Sequence, residues 1–335
     1  MRAVIYRENG PSDVLKLVER PVPEPGPGEV RVKMHVSAVN PTDWKGRAGR
    51  PVAFGEQVPN EDGAGVIDAV GGGVDPVRTG ERVWVWLAAH QRPSGTAQEY
   101  LVIPSERAVA LPDGASFELG ADIGVPFLTA HRTLTVHEGG PTGLGPGALD
   151  GRTVLVAGGA GAVGNAAIQL ARWAGATVLT TVSSPEKAAL ATAAGAQHVI
   201  NYRTHDVVAE VRAVAPNGVD IVVEVSAANA GIDVDVLAAD GVVAIYAGNP
   251  GDEVSVPLRP LMAINARWQF VLLYTVPEPA KSAAVAAVTA AAAAGAIDVG
   301  EPVGLPLHRF PLEQTAAAHD AVQHGAVGKV LIDIS

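Results

Sequence analysis

The strongest limit on the fold of this chain comes from residues 153–175, where a strand pattern, a glycine-rich turn and a helix pattern follow one another. Residues 153–156 form an apolar, β-branched run, and glycines at 159, 161 and 164 come directly after it. The next segment has helical periodicity, and another β-branched run, TVLTTV, follows it. Strand, turn, helix and strand in this order predict one βαβ unit of a parallel sheet.

The spacing Gly159-x-Gly161-x-x-Gly164 allows a second interpretation of this turn besides an ordinary flexible loop. Gly159 would permit a tight turn, Gly161 would let the backbone approach a pyrophosphate, and Gly164 would let helix and strand pack closely. The free N–H groups at the helix start would then hold the anion. Because the turn lies between a strand and a helix, the pattern favours a dinucleotide-binding site.

The rest of the chain divides into regions that differ in the spacing of their apolar runs. From about residue 153 to 247 these runs alternate with helical segments, as in a parallel sheet covered on both faces. The first 125 residues contain instead about six short strands separated by Pro and Gly, as in a compact barrel or sandwich. The last segment is too short for a third domain and is expected to pack on the first. The predicted domains are residues 1–125 with 263–335, and residues 126–262.

Composition excludes several classes of protein. The 335 residues carry 24 Lys and Arg against 35 Asp and Glu, and this net charge of −11 argues against a nucleic-acid or anionic-membrane partner. The absence of cysteine excludes disulfides, thiolate zinc sites and cysteine nucleophiles. The alanine-rich segment 283–294 is too short to span a membrane and is predicted to be a surface helix ended by Gly295. We therefore expect a soluble, cytoplasmic protein.

The end of the second strand of the βαβ unit indicates which dinucleotide would bind. NAD enzymes usually carry Asp or Glu there, whereas this chain has Ser183 and Ser184, followed by Lys187. A carboxylate about 4 Å from a 2′-phosphate would cost about 4 kcal/mol at an effective dielectric near 20, while hydroxyls and an ammonium can donate to it. Tyr202 could close over the same end. Glu186 argues mildly against this, and Ser184 could instead be a helix N-cap, but the pattern favours NADPH over NADH.

Together these features resemble the medium-chain dehydrogenase/reductase superfamily, and most closely its zinc-independent quinone oxidoreductase branch, which includes zeta-crystallin. The similarity extends over nearly the whole chain, through VPEPGPGEVRVKM, SAVNPTDW, EDGAGVIDAVG, AQEYLVIP, GVPFLTAHRTL, AGGAGAVG and GKVLIDI. It implies an α/β protein in which a GroES-like, β-rich catalytic domain contains an inserted Rossmann domain with a doubly wound parallel sheet. It also implies NADPH-dependent hydride transfer to a small quinone or enone-type acceptor, in a homodimer.

The resemblance also implies roles for individual residues. Asn40 matches an asparagine that lines the nicotinamide and acceptor pocket, and Thr129 matches a threonine that approaches the nicotinamide. From the residues alone, Asn40 could be a turn residue before a proline, and Thr129 could bond its own helix backbone. Pyrophosphate contacts are implied for Gly161, Ala162, Val163 and Gly164. Contacts with the 2′-phosphate are implied for Ser183, Ser184, Lys187 and Tyr202, and later cofactor contacts for Ser226, Gly248, Leu272 and Leu273.

One position departs from the pattern of the branch. Lys45 stands where many quinone reductases carry a tyrosine, five residues after the asparagine. Lys45 could donate a proton, anchor an anionic group, or be a solvated loop lysine, and the sequence leaves these alternatives open. The loop at residues 138–151 also looks longer than is common. Both departures bear on the native acceptor, not on the fold.

Residues 59–65, PNEDGAG, place two carboxylates beside glycines that we interpret as a tight turn. Such carboxylates could ligate a metal, act as acid and base, or do neither. Zinc-dependent relatives carry a zinc-ligating histidine where this chain has Glu61, and the position around Asn40 offers no cysteine. The nine histidines show no HxxxH or HxH spacing. We therefore expect no metal, with Asp62 holding the turn by hydrogen bonds and Glu61 without a fixed role, a wall of the pocket being one interpretation.

The missing zinc ligands have a mechanistic consequence. Zinc polarises a carbonyl or lowers the pKa of a bound alcohol, whereas a quinone or enone is already electrophilic and needs chiefly to be docked against the nicotinamide in a dry cleft. Water or Lys45 could supply the proton, and no obligatory side-chain catalyst is expected. Two alternatives stay open: an enoyl-thioester or polyketide-type enoyl reductase, and a non-catalytic, crystallin-like protein that binds NADPH.

Overall fold

The computed structural model describes residues 1–334, which form fifteen strands and ten α-helices. The strands are β1 (Arg2–Ile5), β2 (Lys16–Glu19), β3 (Glu29–Val39), β4 (Asp62–Val70), β5 (Arg82–Val85), β6 (Tyr100–Pro104), β7 (Ala108–Ala110), β8 (Thr153–Ala157), β9 (Thr177–Val182), β10 (His198–Asn201), β11 (Val219–Glu224), β12 (Leu237–Ile245), β13 (Arg267–Phe270), β14 (Leu307–Pro311) and β15 (Lys329–Asp333). The helices are α1 (Pro41–Gly49), α2 (Phe117–Asp122), α3 (Val125–Leu134), α4 (Ala162–Trp173), α5 (Pro185–Ala193), α6 (Val207–Val214), α7 (Ala230–Val236), α8 (Leu258–Ala263), α9 (Glu278–Ala293) and α10 (Thr315–Gln323).

The chain divides into two compact units. The first contains Met1–Val125 and the chain from Pro306 onward, and the second contains Pro126–Leu305. The predicted division lay at 125/126 and 262/263, whereas these compact units divide at 125/126 and 305/306. The reason is β13, which pairs in parallel with β12 in the sheet of the second unit.

The first unit is built around a seven-stranded sheet of order β14-β15-β3-β4-β5-β7, with β6 also paired to β3. Strand β3 alternates apolar and polar residues, and its apolar members Val30, Val32 and Met34 are fully buried. Strand β15 pairs antiparallel with β3, with Val330 opposite Val39. The return of the C-terminal segment to the first domain, predicted from its length, is therefore confirmed.

The glycines of PNEDGAG form part of a strand, and the interpretation as a tight turn was wrong. Asp62 is the first residue of β4, so Gly63 and Gly65 lie beside β3. A Cβ on Gly65 would lie 2.2 Å from the carbonyl oxygen of Lys33. The register of β3 and β4 shifts close by, between Met34 and Val36. Glycine is required here for close approach of two strands, not for reversal of the chain.

The second unit contains a six-stranded sheet of order β10-β9-β8-β11-β12-β13, in which every neighbouring pair is parallel. The chain runs outward from β8 through β9 to β10, then returns to the other side of β8 and continues through β11 to β13. This is the predicted doubly wound topology, and the order reverses at β8. Because all strands are parallel, their carboxyl ends meet at one edge of the sheet, where such folds bind ligands.

Across residues 1–334, no helix is both long enough and apolar enough to cross a membrane. The alanine-rich helix predicted near residue 290 is α9, and Gly295 follows its C-cap with a φ of +62°. A left-handed glycine just after a helix is a common way of ending it.

Candidate functional site

The turn between β8 and α4 requires three glycines for different reasons. Gly158 has a φ of +70°, a left-handed conformation that glycine adopts without strain. A Cβ on Gly159 would lie 2.2 Å from Thr180 Oγ1, and one on Gly164 would lie 2.4 Å from the Gly158 carbonyl oxygen. The left-handed turn residue is therefore Gly158, and Gly159, to which the turn was attributed, is needed for close packing. Gly164 has the close contact that its spacing predicts.

The start of α4 is open to a ligand. Gly161 is the N-cap residue, and within the described chain no side chain caps this helix. A Cβ on Gly161 would meet only the Gly158 carbonyl oxygen, at an ordinary contact distance of 3.5 Å. The first-turn N–H groups, which include those of Ala162 and Val163, lack intrahelical acceptors. These donors, together with the positive end of the helix dipole, form a site suited to an anion such as a pyrophosphate.

Three of the four residues predicted to contact a 2′-phosphate, Ser183, Ser184 and Lys187, lie where β9 ends and α5 begins. Ser184 is the N-cap of α5, and its Oγ accepts a hydrogen bond from the Lys187 N–H at 3.3 Å. Ser183 and Lys187 are half-buried. A hydrogen bond from Ser184 lowers the pKa of the exposed Glu186 carboxyl. The N-cap alternative for Ser184 is therefore realised, and a carboxylate stands beside the predicted phosphate contacts.

A cavity of about 430 Å³ opens at the carboxyl ends of β8 to β11. Gly158, Thr181, Tyr202 and Ser226 all line it. The structure thus brings two predicted cofactor contacts, Tyr202 and Ser226, to one cavity beside the glycine turn. Ser183, Ser184 and Lys187 do not belong to its lining.

The same cavity contains a carboxyl pair that the sequence analysis missed. Glu224 is buried at the end of β11 and accepts hydrogen bonds from the Ser226 N–H at 2.6 Å and from Asn229 Nδ2 at 3.0 Å. Burial, and then the charge of Glu224, raise the pKa of Asp233 to about 9. Asp233 therefore holds a proton at neutral pH. The available signal was a glutamate at the end of the otherwise apolar run IVVE.

Three of the remaining predicted cofactor contacts of the second unit follow β12 or β13, and the fourth lies in α3. Gly248 and Leu272 line a cavity of about 410 Å³ that follows β12 and β13, together with Tyr246. Leu273 comes next in the chain, is buried, and does not line that cavity. Thr129 is buried within α3.

Asn40 is held in a buried polar network of the first unit. Lys329 Nζ donates to Asn40 Oδ1 at 2.7 Å, and Asn40 Nδ2 donates to Asp62 Oδ2 at 2.8 Å. Asp62 Oδ2 also accepts from the Val125 N–H at 2.8 Å, and Lys329 Nζ pairs with Asp122 Oδ1 at 3.0 Å. Lys329 and Asp122 are 2% and 0% exposed. Asp62 therefore acts through hydrogen bonds, as expected, but it joins Asn40 to Val125 and holds no turn.

The zinc site of the zinc-dependent relatives does not fit this network. Asn40 stands in the region where the zinc-dependent relatives carry one zinc ligand, and both polar atoms of its side chain are already hydrogen-bonded. An ammonium 2.7 Å from Asn40 Oδ1 would repel a divalent cation there. In the part of the chain that the structure describes, no group of three or more His, Cys, Asp or Glu side chains is arranged to hold a metal ion. The polar side chains of this network hydrogen-bond to one another, as in a buried polar core.

A third cavity, of about 240 Å³, lies within the first unit. Its wall includes the carboxyls of Asp43 and Glu61, the Tyr6 side chain and an apolar portion at residues 51–54. Lys45 is exposed on α1, with its Nζ 5.9 Å from the centroid of the Trp44 ring, and it does not line this cavity.

Burial raises the pKa of three carboxyls in this region, those of Asp43, Glu61 and Asp62. Burial, followed by the charges of Asp43 and Asp62, raises the pKa of Glu61 to about 8. Burial also raises the pKa of Asp43 to about 7 and that of Asp62 to about 6. The Ala89 N–H donates to Glu61 Oε2 at 3.1 Å, and the Asn40 N–H donates to Asp43 Oδ2 at 2.6 Å. The pKa values of these three neighbouring carboxyls therefore lie between about 6 and about 8, above the ordinary range of a carboxyl.

Comparison with known proteins gives the same architecture. A model of the alcohol dehydrogenase GroES-like domain matches residues 26–113, and a model of the zinc-binding dehydrogenase family matches residues 162–290. The quinone oxidoreductase of Homo sapiens is 32% identical over 341 residues, which cover 99% of this chain and 97% of that protein. A solved NAD-dependent alcohol dehydrogenase has a TM-score of 0.84 at 28% identity, with 100% of both chains covered. A mycobacterial protein complexed with NADPH has a TM-score of 0.80 at 30% identity, with 99% of this chain and 100% of that chain covered.

A doubly wound sheet with an open glycine turn, in a chain that also carries a GroES-like unit, defines an oxidoreductase of the medium-chain type. The chain belongs to the medium-chain dehydrogenase/reductase superfamily, in its quinone oxidoreductase branch.

Proposed function

We propose that this protein is a zinc-independent reductase that uses NADPH to reduce quinones or other enone-type acceptors. The observation that carries this proposal is the network of Lys329, Asn40 and Asp62, because it occupies with hydrogen bonds the region from which a metal would polarise a carbonyl. An acceptor for such a site must already be electrophilic at the atom that receives hydride. Quinones and enones meet this condition, and quinone oxidoreductases at 31–32% identity support the choice.

The second unit has residues that fit a dinucleotide. NADPH, when bound, supplies a hydride from its nicotinamide ring. The first-turn N–H groups of α4 would hold the pyrophosphate. Tyr202 and Ser226 would contact the cofactor in the 430 Å³ cavity, and Gly248 and Leu272 in the 410 Å³ cavity. Thr129 and Asn40 would lie toward the nicotinamide, as the family resemblance implies.

The preference for NADPH is tested by replacing Lys187 with alanine. Loss of an ammonium beside the 2′-phosphate is expected to raise KM for NADPH about tenfold or more, since a hydrogen bond to a charged group contributes roughly 1.5–3 kcal/mol. KM for NADH should change little. Initial rates with both cofactors measure the effect.

Two further variants serve as controls for Lys187→Ala. Glu186→Gln removes the neighbouring carboxylate and should lower KM for NADPH, whereas Lys16→Ala removes an exposed lysine from β2 and should change neither KM. Equal increases for both cofactors in Lys187→Ala would show that this residue does not contact the 2′-phosphate.

The acceptor is tested by following NADPH oxidation with three sets of compounds: quinones, simple enones and crotonyl-type thioesters. We expect turnover with quinones or enones. Activity with thioesters alone would replace the proposal by an enoyl-thioester or polyketide-type enoyl reductase. Tight NADPH binding without turnover of any acceptor would favour the crystallin-like alternative. An active preparation with stoichiometric zinc would contradict zinc independence.

A homodimer is proposed with the same function. Strand β13 forms an edge of the six-stranded sheet, and Phe270 at its end is 64% exposed. Leu272, Met262 and Leu258, close by in sequence, are also exposed. An apolar edge of this kind favours pairing with a second copy. Light scattering of the purified protein would measure the mass.

A further inference from the structure

We infer that Asp233, which lines the 430 Å³ cavity of the second unit, accepts a hydrogen bond from the 6-amino group of the adenine of the bound dinucleotide. The protein would therefore select adenine over hypoxanthine at this position. The inference rests on the proposed function, in which the second unit binds NADPH. It gives a role to a buried carboxyl pair, Glu224 and Asp233, that hydride transfer does not use.

The cavity lies wholly within the second unit and adjoins the start of α4. All of its lining residues fall between Leu155 and Asp233, and that unit contains residues 126–305. Gly158 lines the cavity, and its carbonyl oxygen accepts a hydrogen bond from the Gly161 N–H at 3.0 Å. The volume of about 430 Å³ is within the roughly 300–1,000 Å³ of small-molecule pockets. A ligand whose pyrophosphate lies at the start of α4 therefore has room for a base here.

The position of the cavity along the sheet favours the adenosine half of a dinucleotide. In doubly wound sheets the end of the second strand contacts the ribose of the adenosine. Thr181 of β9, which is that second strand, lines the cavity, and so does Tyr202, which follows the neighbouring strand β10. Among the described residues, none of β12 or β13, on the other side of the sheet, belongs to the lining.

The walls of the cavity suit a flat ring but do not distinguish one purine from another. Val207 and Val208 from α6 and Ile232 from α7 are apolar lining residues. Tyr202, which is 51% exposed, offers an aromatic ring. Stacking and apolar contact act on the face of a base, which all purines present. Recognition of a particular base therefore requires a polar group at its edge.

Asp233 has an oxygen for which the protein supplies no donor. Glu224 and Asp233 are each 1% exposed, and their carboxyls hydrogen-bond to each other. Within residues 1–334 this is the hydrogen bond of the Asp233 carboxyl, and no N–H or O–H group donates to its buried Oδ2. One such bond engages one of the two oxygens of Asp233. The other is left without a partner, and a donor on a ligand in the cavity would satisfy it.

The surroundings of Glu224 make Asp233 an acceptor toward the cavity. Two hydrogen-bonded carboxyls need a proton between them. Glu224 Oε1 accepts from the Ser226 N–H at 2.6 Å and from Asn229 Nδ2 at 3.0 Å, and such donors stabilise the charged form of Glu224. The proton therefore resides on Asp233 and is donated to Glu224, in agreement with the raised pKa of Asp233. The second oxygen of Asp233 can then only accept a hydrogen bond.

This arrangement distinguishes a 6-amino purine from a 6-oxo purine. Adenine presents an N–H donor at this edge, whereas hypoxanthine, like guanine, presents a carbonyl oxygen. An amino group would complete the hydrogen bonding of Asp233, and a carbonyl oxygen would place two acceptors against each other. Because the carboxyl pair carries one negative charge, we expect the hypoxanthine dinucleotide to bind roughly 10–10²-fold more weakly.

The test is calorimetric titration of the full-length protein with NADPH and with its hypoxanthine analogue. The wild type should bind NADPH roughly 10–10²-fold more tightly. Asp233→Asn should keep this difference, because its amide nitrogen can donate to Glu224 while its oxygen accepts from adenine. Asp233→Leu should weaken NADPH binding and abolish the difference. Asp235→Leu, which replaces an exposed aspartate of the same helix, should behave as the wild type.

A second measurement does not need a folded Asp233→Leu protein. The infrared difference spectrum of NADPH-bound minus free wild type should contain a shift in the carbonyl stretch of a protonated carboxyl. Asp233→Asn should lack this shift, and the hypoxanthine analogue should not produce it in the wild type.

The outcomes separate this inference from the proposed function. Equal affinity of the wild type for both dinucleotides would overturn the inference and leave the proposed function standing. The same holds for discrimination that survives in a folded Asp233→Leu protein, or for the absence of a carboxyl shift on NADPH binding. A wild type that binds no NADPH would refute the proposed function, and this inference with it.

Discussion

Replacing Lys329 with methionine is expected to lower the free energy of unfolding by about 3–5 kcal/mol. The substitution keeps most of the side-chain volume but removes the ammonium that pairs with Asp122 at 3.0 Å and donates to Asn40 at 2.7 Å. Asp122 is fully buried and would keep an uncompensated charge or have to take up a proton. Calorimetry or chemical denaturation of the wild type and the variant measures the loss.

The loss should also depend on pH, with a defined sign. Burial raises the pKa of Asp122, and Lys329 opposes that rise. Without Lys329 the folded-state pKa is higher still, so the variant is relatively stable at low pH and loses stability as pH rises through this pKa. The gap between wild type and Lys329→Met should therefore widen from acidic to neutral pH.

Two further variants separate the ion pair from lysine substitution in general. Lys33 is an exposed lysine on β3, and Lys33→Met should stay within about 0.5 kcal/mol of the wild type. Combining Lys329→Met with Asp122→Leu should recover most of the loss, because both buried charges are then removed. A Lys329→Met protein as stable as the wild type would mean that the network is hydrated or not formed.

Replacing Gly161 with valine is expected to weaken NADPH binding by about 10²-fold or more while leaving the fold of the free protein intact. A Cβ at this position meets only the Gly158 carbonyl oxygen, at 3.5 Å, so the protein itself has room for it. The added methyl groups would instead occupy the space in front of the α4 N–H groups, where the pyrophosphate is proposed to lie. A steric cost of about 3 kcal/mol corresponds to roughly 10²-fold in affinity.

Calorimetric titration with NADPH and the thermal midpoint of the free protein test this prediction together. Gly145→Val, in a loop of the same unit with no atom within 4 Å of its Cβ position, should change neither quantity. Gly164→Val should instead destabilise the free protein, since its Cβ would lie 2.4 Å from a backbone oxygen. Retained NADPH affinity in a folded Gly161→Val protein would rule out pyrophosphate binding at this helix start.

Local patterns in the sequence were enough to predict the strands and helices whose signals lie within a short stretch of the chain. The order of β8, α4 and β9 follows from one apolar run, one glycine spacing and one helical period. β13 was missed because RWQF has no buried pattern. It is an edge strand, and three of its four residues are exposed. An edge strand satisfies its backbone on one side only, so its side chains carry little of the hydrophobic signal.

The candidate site was also predictable only in part from the sequence. The glycine turn was found, but the left-handed residue is Gly158, which had no predicted role, and Gly159 is needed for close packing 2.2 Å from Thr180. Glu224 and Asp233 lie nine positions apart, and the sequence alone did not pair them. The raised pKa of Asp233 results first from burial, which only the packed sheet and helix produce.

The sequence by itself determined the doubly wound sheet and the uncapped helix start behind its glycine turn, because strand, turn and helix preferences act between near neighbours. Only the tertiary structure decided what surrounds Asn40 and Glu61. Lys329 reaches Asn40 across 289 positions because β15 pairs with β3. The pKa of Glu61 rises because the fold buries it beside two other carboxyls. Burial and long-range pairing are properties of the folded chain, and they give the two carboxylates of PNEDGAG different surroundings: Asp62 joins Asn40 to Val125, and Glu61 is a buried carboxyl with a raised pKa.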